Sequence, residues 1–138
     1  MQKAVARWAG DKVKFEIQSN SGHSAVADEA PTFGGDEGMR PTEMLLGALG
    51  ACTGVNAVLL LKKFRQPFKS LDVEVEGDQQ PEWPHAFTEI RINFRIGWDG
   101  KHDKQLVESA IDMAVNKYCP VDATLSHGTR IKHHRTDA

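Results

Sequence analysis

Residues 40–65 read RPTEMLLGALGACTGVNAVLLLKKFR, and this stretch carries the strongest structural pattern in the chain. From Met44 to Leu61 it contains 18 residues without a charge. Pro41 suits the first position of a helix, because its missing N–H would have no partner there. The acidic Glu43 near the start and the basic side chains near the end match the helix dipole. The sequence therefore predicts a long apolar helix over residues 41–64.

A helix that is apolar on all sides is buried either in a protein core or in a membrane. The charge-free run is near the lower length limit for a membrane span. Gly50 and Gly54 also form a GxxxG pattern, which is associated with helix pairing in membranes. However, the glycines, Thr53 and Asn56 lower the apolarity of the run, and the rest of the chain has an ordinary soluble pattern. We therefore expect no membrane association and a helix buried in the core of a soluble dimer.

Cys52 lies in the middle of the predicted helix, and glycine is concentrated on the opposite face. Gly47, Gly50 and Gly54 share that face at 100° per residue. A glycine inside a helix costs about 1 kcal/mol relative to alanine. Three on one face indicate the close approach of another backbone. We expect this face to pack on a second helix, which is either residues 102–118 or the partner subunit's copy of the first.

The segments around the long helix alternate between apolar and polar residues, which is typical of half-buried strands. A glycine-rich loop over residues 29–40 separates the first strands from the helix. Strands are expected at residues 3–8, 13–17, 22–28, 71–76, 89–96 and 129–132, and a second helix at residues 102–118. This order predicts one α+β domain over residues 1–138, with antiparallel sheet.

Composition excludes several classes of protein. The 138 residues carry a net charge of −2, so a nucleic-acid-binding face is not expected. The first 18 residues contain no long apolar region of the kind found in signal peptides. Two cysteines are too few for a disulfide scaffold in a chain of this length. We therefore expect a cytoplasmic protein, in which a disulfide between the two cysteines would be transient and functional.

The two cysteines, Cys52 and Cys119, are the best candidates for chemistry. The apolar surroundings of Cys52 favour a neutral thiol, and the thiolate is the nucleophile, so a reactive Cys52 needs a cation or donor from elsewhere. Equally, a free cysteine in a core acts as a small hydrophobic residue. Cys119 precedes Pro120; if residues 120–125 form a helical turn, the helix dipole lowers the pKa of the Cys119 thiol. Otherwise Cys119 is a packing residue at the end of a helix.

These residues resemble the OsmC/Ohr superfamily. The similar blocks are Arg40–Thr53 and Lys117–Val121, with a weaker match at Phe87–Ile90, and the resemblance extends over residues 21–133. The triplet Ser21-Gly22-His23 is most similar to the YhfA-type branch of this superfamily. A cysteine in a long apolar helix, followed by another after a later helix, is a specific combination.

The resemblance implies a fold and an activity. The fold has antiparallel sheets and a long central helix, and two chains form an intertwined homodimer with sites at the subunit interface. Enzymes of the superfamily reduce organic hydroperoxides without a cofactor or metal. By resemblance, Cys52 is the peroxidatic residue, Cys119 is the resolving residue, and an external dithiol reduces the disulfide that they form.

The resemblance also suggests which charged residues assist Cys52. In the Ohr and OsmC enzymes a glutamate directly follows the proline that opens the helix, whereas here Thr42 takes that position and Glu43 comes next. The arginine of those enzymes lies in the N-terminal region, and Arg7 and Arg40 are the candidates here. Along a helix, Arg40 would lie about 18 Å from Cys52. It would therefore act by folding back or by reaching the partner subunit's thiol.

Two other functions remain open from the sequence. In one, the chain is a dimer without turnover that binds a small hydrophobic or thiol-bearing ligand at the subunit interface. In the other, Cys52, Cys119 and a histidine hold a metal, although the sequence lacks the closely spaced ligands that are typical of a zinc site. Trp83 either lines a substrate pocket or anchors a loop on the sheet.

Overall fold

The computed structural model describes residues 1–137, and its Cα positions divide into two compact units, one of residues 1–47 and one that begins at Ala48. The first unit contains a three-stranded antiparallel sheet in which the second strand pairs with both others. Its strands are β1 (Ala4–Trp8), β2 (Phe15–Ser19) and β3 (Ser24–Ala27). The three N-terminal strands predicted from alternation are therefore confirmed.

The long helix α1 (Pro41–Lys63) begins and ends almost where the sequence predicts. At its start, the backbone N–H of Arg40 donates to Glu43 Oε1 at 2.9 Å, which satisfies one of the donors left free at a helix N-terminus. At its end, Arg65 adopts a left-handed conformation with φ 57°. This turn allows the N–H of Gln66 to donate to the carbonyl of Leu61 at 2.9 Å, and it terminates the helix.

The second unit contains a long antiparallel hairpin and two further helices. The hairpin strands are longer than the alternation predicts and pair along nearly their whole length. Asp103 begins the next helix, because its Oδ1 accepts the N–H groups of Gln105 and Leu106. The elements are β4 (Phe68–Gln79), β5 (Phe87–Trp98), α2 (Lys104–Asn116) and α3 (Pro120–His127). The α+β class with antiparallel sheet is confirmed.

The core of the second unit lies where α1 and α2 pack with the hairpin. Ala57 and Leu61 of α1, and Ala110 and Ala114 of α2, are fully buried. Leu61 contributes most by volume, since burying a leucine side chain stabilises by about 1.5–3 kcal/mol. Half-buried residues surround this cluster: Phe64, Phe68, Leu71, Phe94, Ile96, Trp98, Val107, Ile111 and Met113.

The glycine face of α1 packs on strand β4, so the prediction that it packs on a second helix is wrong. A Cβ atom at Gly50 would lie 3.1 Å from Cγ2 of Val75, and one at Gly54 would lie 3.2 Å from Cγ2 of Val73. Branched side chains of the strand occupy the space that the missing Cβ atoms leave. A Cβ atom at Gly47 would meet no heavy atom within 4 Å.

The strand predicted at residues 129–132 is also wrong. These residues have no regular structure, and Ile131 is 89% exposed. The alternating pattern is real, but its apolar member buries nothing, so no strand is stabilised there. The last element of regular structure is instead α3, which contains the helical turn that the sequence left open at residues 120–125.

The outer face of α1 stays open in the single chain. Only 33% of its most apolar 18-residue window is buried, and Val55 and Leu59 are 60% and 61% exposed. Within residues 1–137, α1 is the one helix whose length and composition would suit a membrane span, a test that core helices of soluble proteins also pass.

Candidate functional site

Cys52 is half-buried on α1, one residue before a fully buried polar side chain. That neighbour, Thr53, is satisfied because its hydroxyl donates to the carbonyl of Leu49 at 3.0 Å. The amide Nδ2 of Asn56 donates to the carbonyl of Cys52 at 3.1 Å. The backbone around Cys52 is therefore regular helix, and the residue is partly accessible to solvent.

Cys119 is buried, with 3% exposure, and it is the N-cap residue of α3. Its Sγ accepts the backbone N–H of Asp122 at 3.3 Å. Pro120 follows at the first helical position and supplies no competing N–H donor. The structure thus places this sulfur at the positive end of a helix dipole, as the sequence anticipated.

The pKa of the Cys119 thiol is nonetheless raised above its ordinary value, chiefly because burial disfavours the thiolate. The N–H groups of Asp122 and Val121 act in the opposite direction and lower it. The nearby side chain of Cys52 raises it further. The structure therefore brings the two cysteines together, although no bond joins their sulfurs and 67 positions separate them.

A cleft of about 330 Å³ is lined by residues that lie three positions from each cysteine in the chain, although neither cysteine lines it. Leu49, one turn before Cys52, forms part of its wall, and so does Asp122, whose N–H contacts Cys119. The remaining apolar wall is Phe87, Ile90, Ile92 and Leu125, and the remaining polar wall is Thr88, Glu89 and Ser126. A second, more open cleft of about 700 Å³ shares Ile90, Ile92 and Asp122 with it. The volumes are within the range of small-molecule sites.

Arg40 and Glu43 belong to the first unit, and the hydrogen bonds of their side chains are with residues of that unit. The guanidinium of Arg40 donates to Asp36 at 2.7 Å and to the carbonyl of Gly38 at 3.1 Å. The ion pair with Asp36 raises the pKa of Arg40, so it stays charged. Glu43 accepts the N–H of Arg40, as a capping residue does. Their roles beside Cys52 remain predictions.

Arg7 and Trp83, the other residues singled out in the sequence, are exposed. Arg7 donates to Gln18 Oε1 at 3.2 Å on the sheet of the first unit. Trp83 is 85% exposed at the end of the hairpin and contacts the ring of His85, with ring centroids 4.1 Å apart. Neither the pocket nor the anchored loop expected for Trp83 is therefore found. In residues 1–137, no group of three or more His, Cys, Asp or Glu side chains is arranged to hold a metal ion.

The sequence reasoning missed Asp28, which organises the loop that leads to α1. Its side chain is 2% exposed and accepts the N–H groups of Glu29, Gly35 and Glu37. Burial alone would raise the pKa of Asp28, but these hydrogen bonds together lower it. The signal was the acidic residue just before the glycine-rich segment, because a carboxylate can satisfy several N–H groups of such a loop.

Comparisons with known proteins agree with this architecture. The family model described as OsmC-like protein matches residues 34–134. Protein YhfA of Escherichia coli strain K12 is 30% identical over 131 residues, which cover 95% of this chain and 94% of YhfA.

Solved structures resemble the chain as well. The OsmC-like protein of Mycoplasma pneumoniae has a TM-score of 0.76 and 21% identity, and the match covers 91% of this chain and 87% of the other. The organic hydroperoxide resistance protein OhrB of Bacillus subtilis has a TM-score of 0.56 and 19% identity, with 90% of each chain covered. These likenesses establish the fold. Together with the family match and the similarity to YhfA, they show that this chain belongs to the OsmC-like protein family.

Proposed function

We propose that this protein reduces organic hydroperoxides with a two-cysteine cycle. The observation that carries the proposal is the proximity of the two cysteines, since the side chain of Cys52 lies close enough to raise the pKa of Cys119 although the two come from distant parts of the chain. The names of structural neighbours support it, since OhrB is described as an organic hydroperoxide resistance protein. The expected cellular role is defence against oxidative stress in the cytoplasm.

The proposed cycle consumes one hydroperoxide and one external dithiol, and it regenerates both cysteines. The Cys52 thiolate attacks the outer oxygen of ROOH, the O–O bond breaks, and the alkoxide takes a proton to leave as ROH. Cys52 is then a sulfenic acid. The Cys119 sulfur attacks the Cys52 sulfur, an S–S bond forms, and the hydroxyl leaves as water with the proton of Cys119. An external dithiol then supplies two electrons and two protons and becomes a disulfide itself.

The difference between the cysteines supports the proposed roles. Cys52 is partly accessible, as a residue that meets substrate must be. Cys119 is buried and its pKa is raised, so it stays protonated and does not compete for the peroxide. When Cys119 reacts with the sulfenic acid, the N–H groups of Asp122 and Val121 stabilise its developing negative charge.

The remaining parts of the proposal concern the groups around Cys52 and the assembly. Arg40 is the proposed cation that favours the Cys52 thiolate, with Glu43 fixing the backbone of Arg40. The proposed assembly is a homodimer, because Val55 and Leu59 leave an apolar stripe open on α1. A stripe of this kind is normally covered by another protein surface.

Mass spectrometry after one equivalent of cumene hydroperoxide tests the cycle. Wild-type protein is expected to lose two mass units as the Cys52–Cys119 disulfide forms. Cys119→Ser protein is expected to gain 16 mass units on Cys52, since a sulfenic acid forms and cannot be resolved. Cys52→Ser protein serves as the control and should not change. Oxidation of Cys119 in that control, or no oxidation of wild type, would contradict the proposal.

The second candidate is a dimer that binds a small hydrophobic or thiol-bearing ligand without turnover. The apolar wall of the 330 Å³ cleft and the raised pKa of Cys119 favour it. Slow alkylation of Cys52 at neutral pH, together with saturable binding of an apolar ligand, would favour this candidate over the reductase.

A further inference from the structure

We infer that the buried carboxylate of Asp28 is a positioning residue that fixes the guanidinium of Arg40, with Asp36 as the link between them. The inference rests on the proposed function, because Arg40 is the proposed cation that favours the Cys52 thiolate. Asp28, Asp36 and Arg40 all lie in the unit of residues 1–47. The inference therefore concerns how this unit prepares a charged side chain for use elsewhere.

The carboxylate of Asp28 holds the turn that contains Asp36 from both sides. The side chain of Asp28 is 2% exposed. Its Oδ2 accepts the N–H of Gly35 at 3.2 Å and the N–H of Glu37 at 3.1 Å, and these residues flank Asp36. A buried carboxylate is stable only when its oxygens accept hydrogen bonds, so the carboxylate and the turn depend on each other.

The backbone of Asp36 has the conformation that this turn requires. Its φ of 55° lies in the left-handed region, which few residues other than glycine adopt but which aspartate tolerates. Its N–H donates to the carbonyl of Glu29 at 3.0 Å. In this position Asp36 Oδ1 accepts Nη1 of Arg40 at 2.7 Å, and the carbonyl of Gly38 accepts the same group at 3.1 Å. The place of Asp36 thus sets the direction of the guanidinium.

The ion pair between Arg40 and Asp36 would not fix Arg40 by itself. The side chain of Asp36 is 55% exposed, and exposed pairs contribute little, because water competes and two flexible side chains must be ordered. Here the backbone N–H groups on either side of Asp36 are bound to Asp28, which restricts the position of one partner before the pair forms. The orientation of Arg40 therefore depends on the hydrogen bonds of Asp28.

Gly34 allows the loop to close on this carboxylate. A Cβ atom at Gly34 would lie 2.5 Å from Oδ1 of Asp28 and would also collide with the carbonyl of Glu29. On the other side, the backbone N–H of Asp28 donates to the carbonyl of Met39, the residue before Arg40, at 3.0 Å. Gly34 thus offers a variant that disturbs the contact with Asp28 and keeps the charge.

NMR relaxation of the Arg40 Nε–H group tests the positioning directly. Wild type is expected to show an ordered group. Asp28→Asn replaces one acceptor oxygen by a donor, so the order parameter of Arg40 should fall towards the range of flexible groups, below about 0.6. The amides of Gly35 and Glu37 should exchange with solvent about tenfold faster, because their acceptor is lost.

Gly34→Ala should have the same two effects, although it leaves the carboxylate of Asp28 in place. The matched control is Glu37→Gln, which removes another carboxylate of the same loop, the partner of Lys14 at 2.8 Å, and keeps the N–H that Asp28 accepts. It should leave the order of Arg40 unchanged. An Arg40 that is equally ordered in wild type, Asp28→Asn and Gly34→Ala would overturn the inference, and so would an equal loss of order in Glu37→Gln.

The rate at which cumene hydroperoxide oxidises Cys52 tests the link to the proposed cycle. Asp28→Asn should slow this step about tenfold in wild type, because a misplaced supporting group is costly, and should have no further effect in Arg40→Gln. Equal slowing in both backgrounds would show that Asp28 does not act through Arg40. If Arg40→Gln reacts at the wild-type rate, the proposed role of Arg40 fails, and the order parameters alone decide the positioning.

Discussion

Two residues of the same chemical type have different environments in this protein. Cys52 is half-buried on a long helix, whereas Cys119 is buried at the start of a short one. Burial outweighs the N–H donors at Cys119, so its pKa is raised rather than lowered. The helix N-terminus therefore does not lower the pKa of Cys119 below its ordinary value, because the cost of burying a charge decides the balance.

The raised pKa of Cys119 predicts the pH dependence of its alkylation. A thiol with a raised pKa has less thiolate at a given pH, so half-maximal alkylation of Cys119 is expected above the ordinary value of 9.0. The Cys52→Ala variant removes one cause of the shift, and its midpoint for Cys119 should be lower. Iodoacetamide rates measured by peptide mass spectrometry from pH 7 to 11 test this. A wild-type midpoint below 9.0 would show that the helix N–H groups outweigh burial.

At the scale of elements, α1 combines good helix signals with three glycines that weaken it. The packing on β4 explains two of them, because Gly50 and Gly54 face Val75 and Val73 at distances that leave little room for a Cβ atom. Gly47 has open space around the position of a Cβ atom. The three glycines thus have the same helix propensity and different surroundings.

This difference predicts opposite effects of alanine. Gly47→Ala should stabilise the protein by about 0.5–1 kcal/mol, since alanine is the better helix former. Gly50→Ala gains the same propensity, but it must displace Val75 by a few tenths of an ångström and is expected to be less stable than Gly47→Ala by about 1–3 kcal/mol. Urea unfolding of both variants measures this. Equal stabilities would mean that the strand adjusts without cost.

At the scale of the whole molecule, the open stripe of α1 is the main feature that a single chain leaves unexplained. Val55 and Leu59 are more than half exposed, although the opposite face of the same helix forms the core. Exposed leucine and valine side chains gain about 25 cal/mol for each Å² of apolar surface that a second chain removes from water. Association through this stripe would give the helix the burial that its composition predicts.

A charge in the stripe should therefore dissociate the proposed homodimer. Wild type is expected to sediment with twice the chain mass of 15.3 kDa, and Leu59→Glu with the mass of one chain at low micromolar concentration. Gln105→Glu introduces the same side chain at an exposed position of α2, outside the stripe, and serves as the control. Sedimentation equilibrium measures the masses. A dimer that survives Leu59→Glu, or a wild-type monomer, would place association elsewhere or exclude it.

The amino-acid sequence by itself determined the elements whose signals are local. Alternation predicted the hairpin strands, and Pro41, Glu43 and the apolar run predicted α1 almost to its last residue. The family was also evident from the two cysteine blocks. These features depend on neighbours within a few positions, so a linear pattern is sufficient to identify them.

Only the tertiary structure decided which surfaces meet. It placed β4, rather than a helix, against Gly50 and Gly54, and it left the alternating residues 129–132 without a strand to pair with. It also brought Cys119 to Cys52 across 67 positions of the chain. Periodicity shows which face of an element is apolar but not what covers that face, because packing depends on the shapes of surfaces that are distant in sequence.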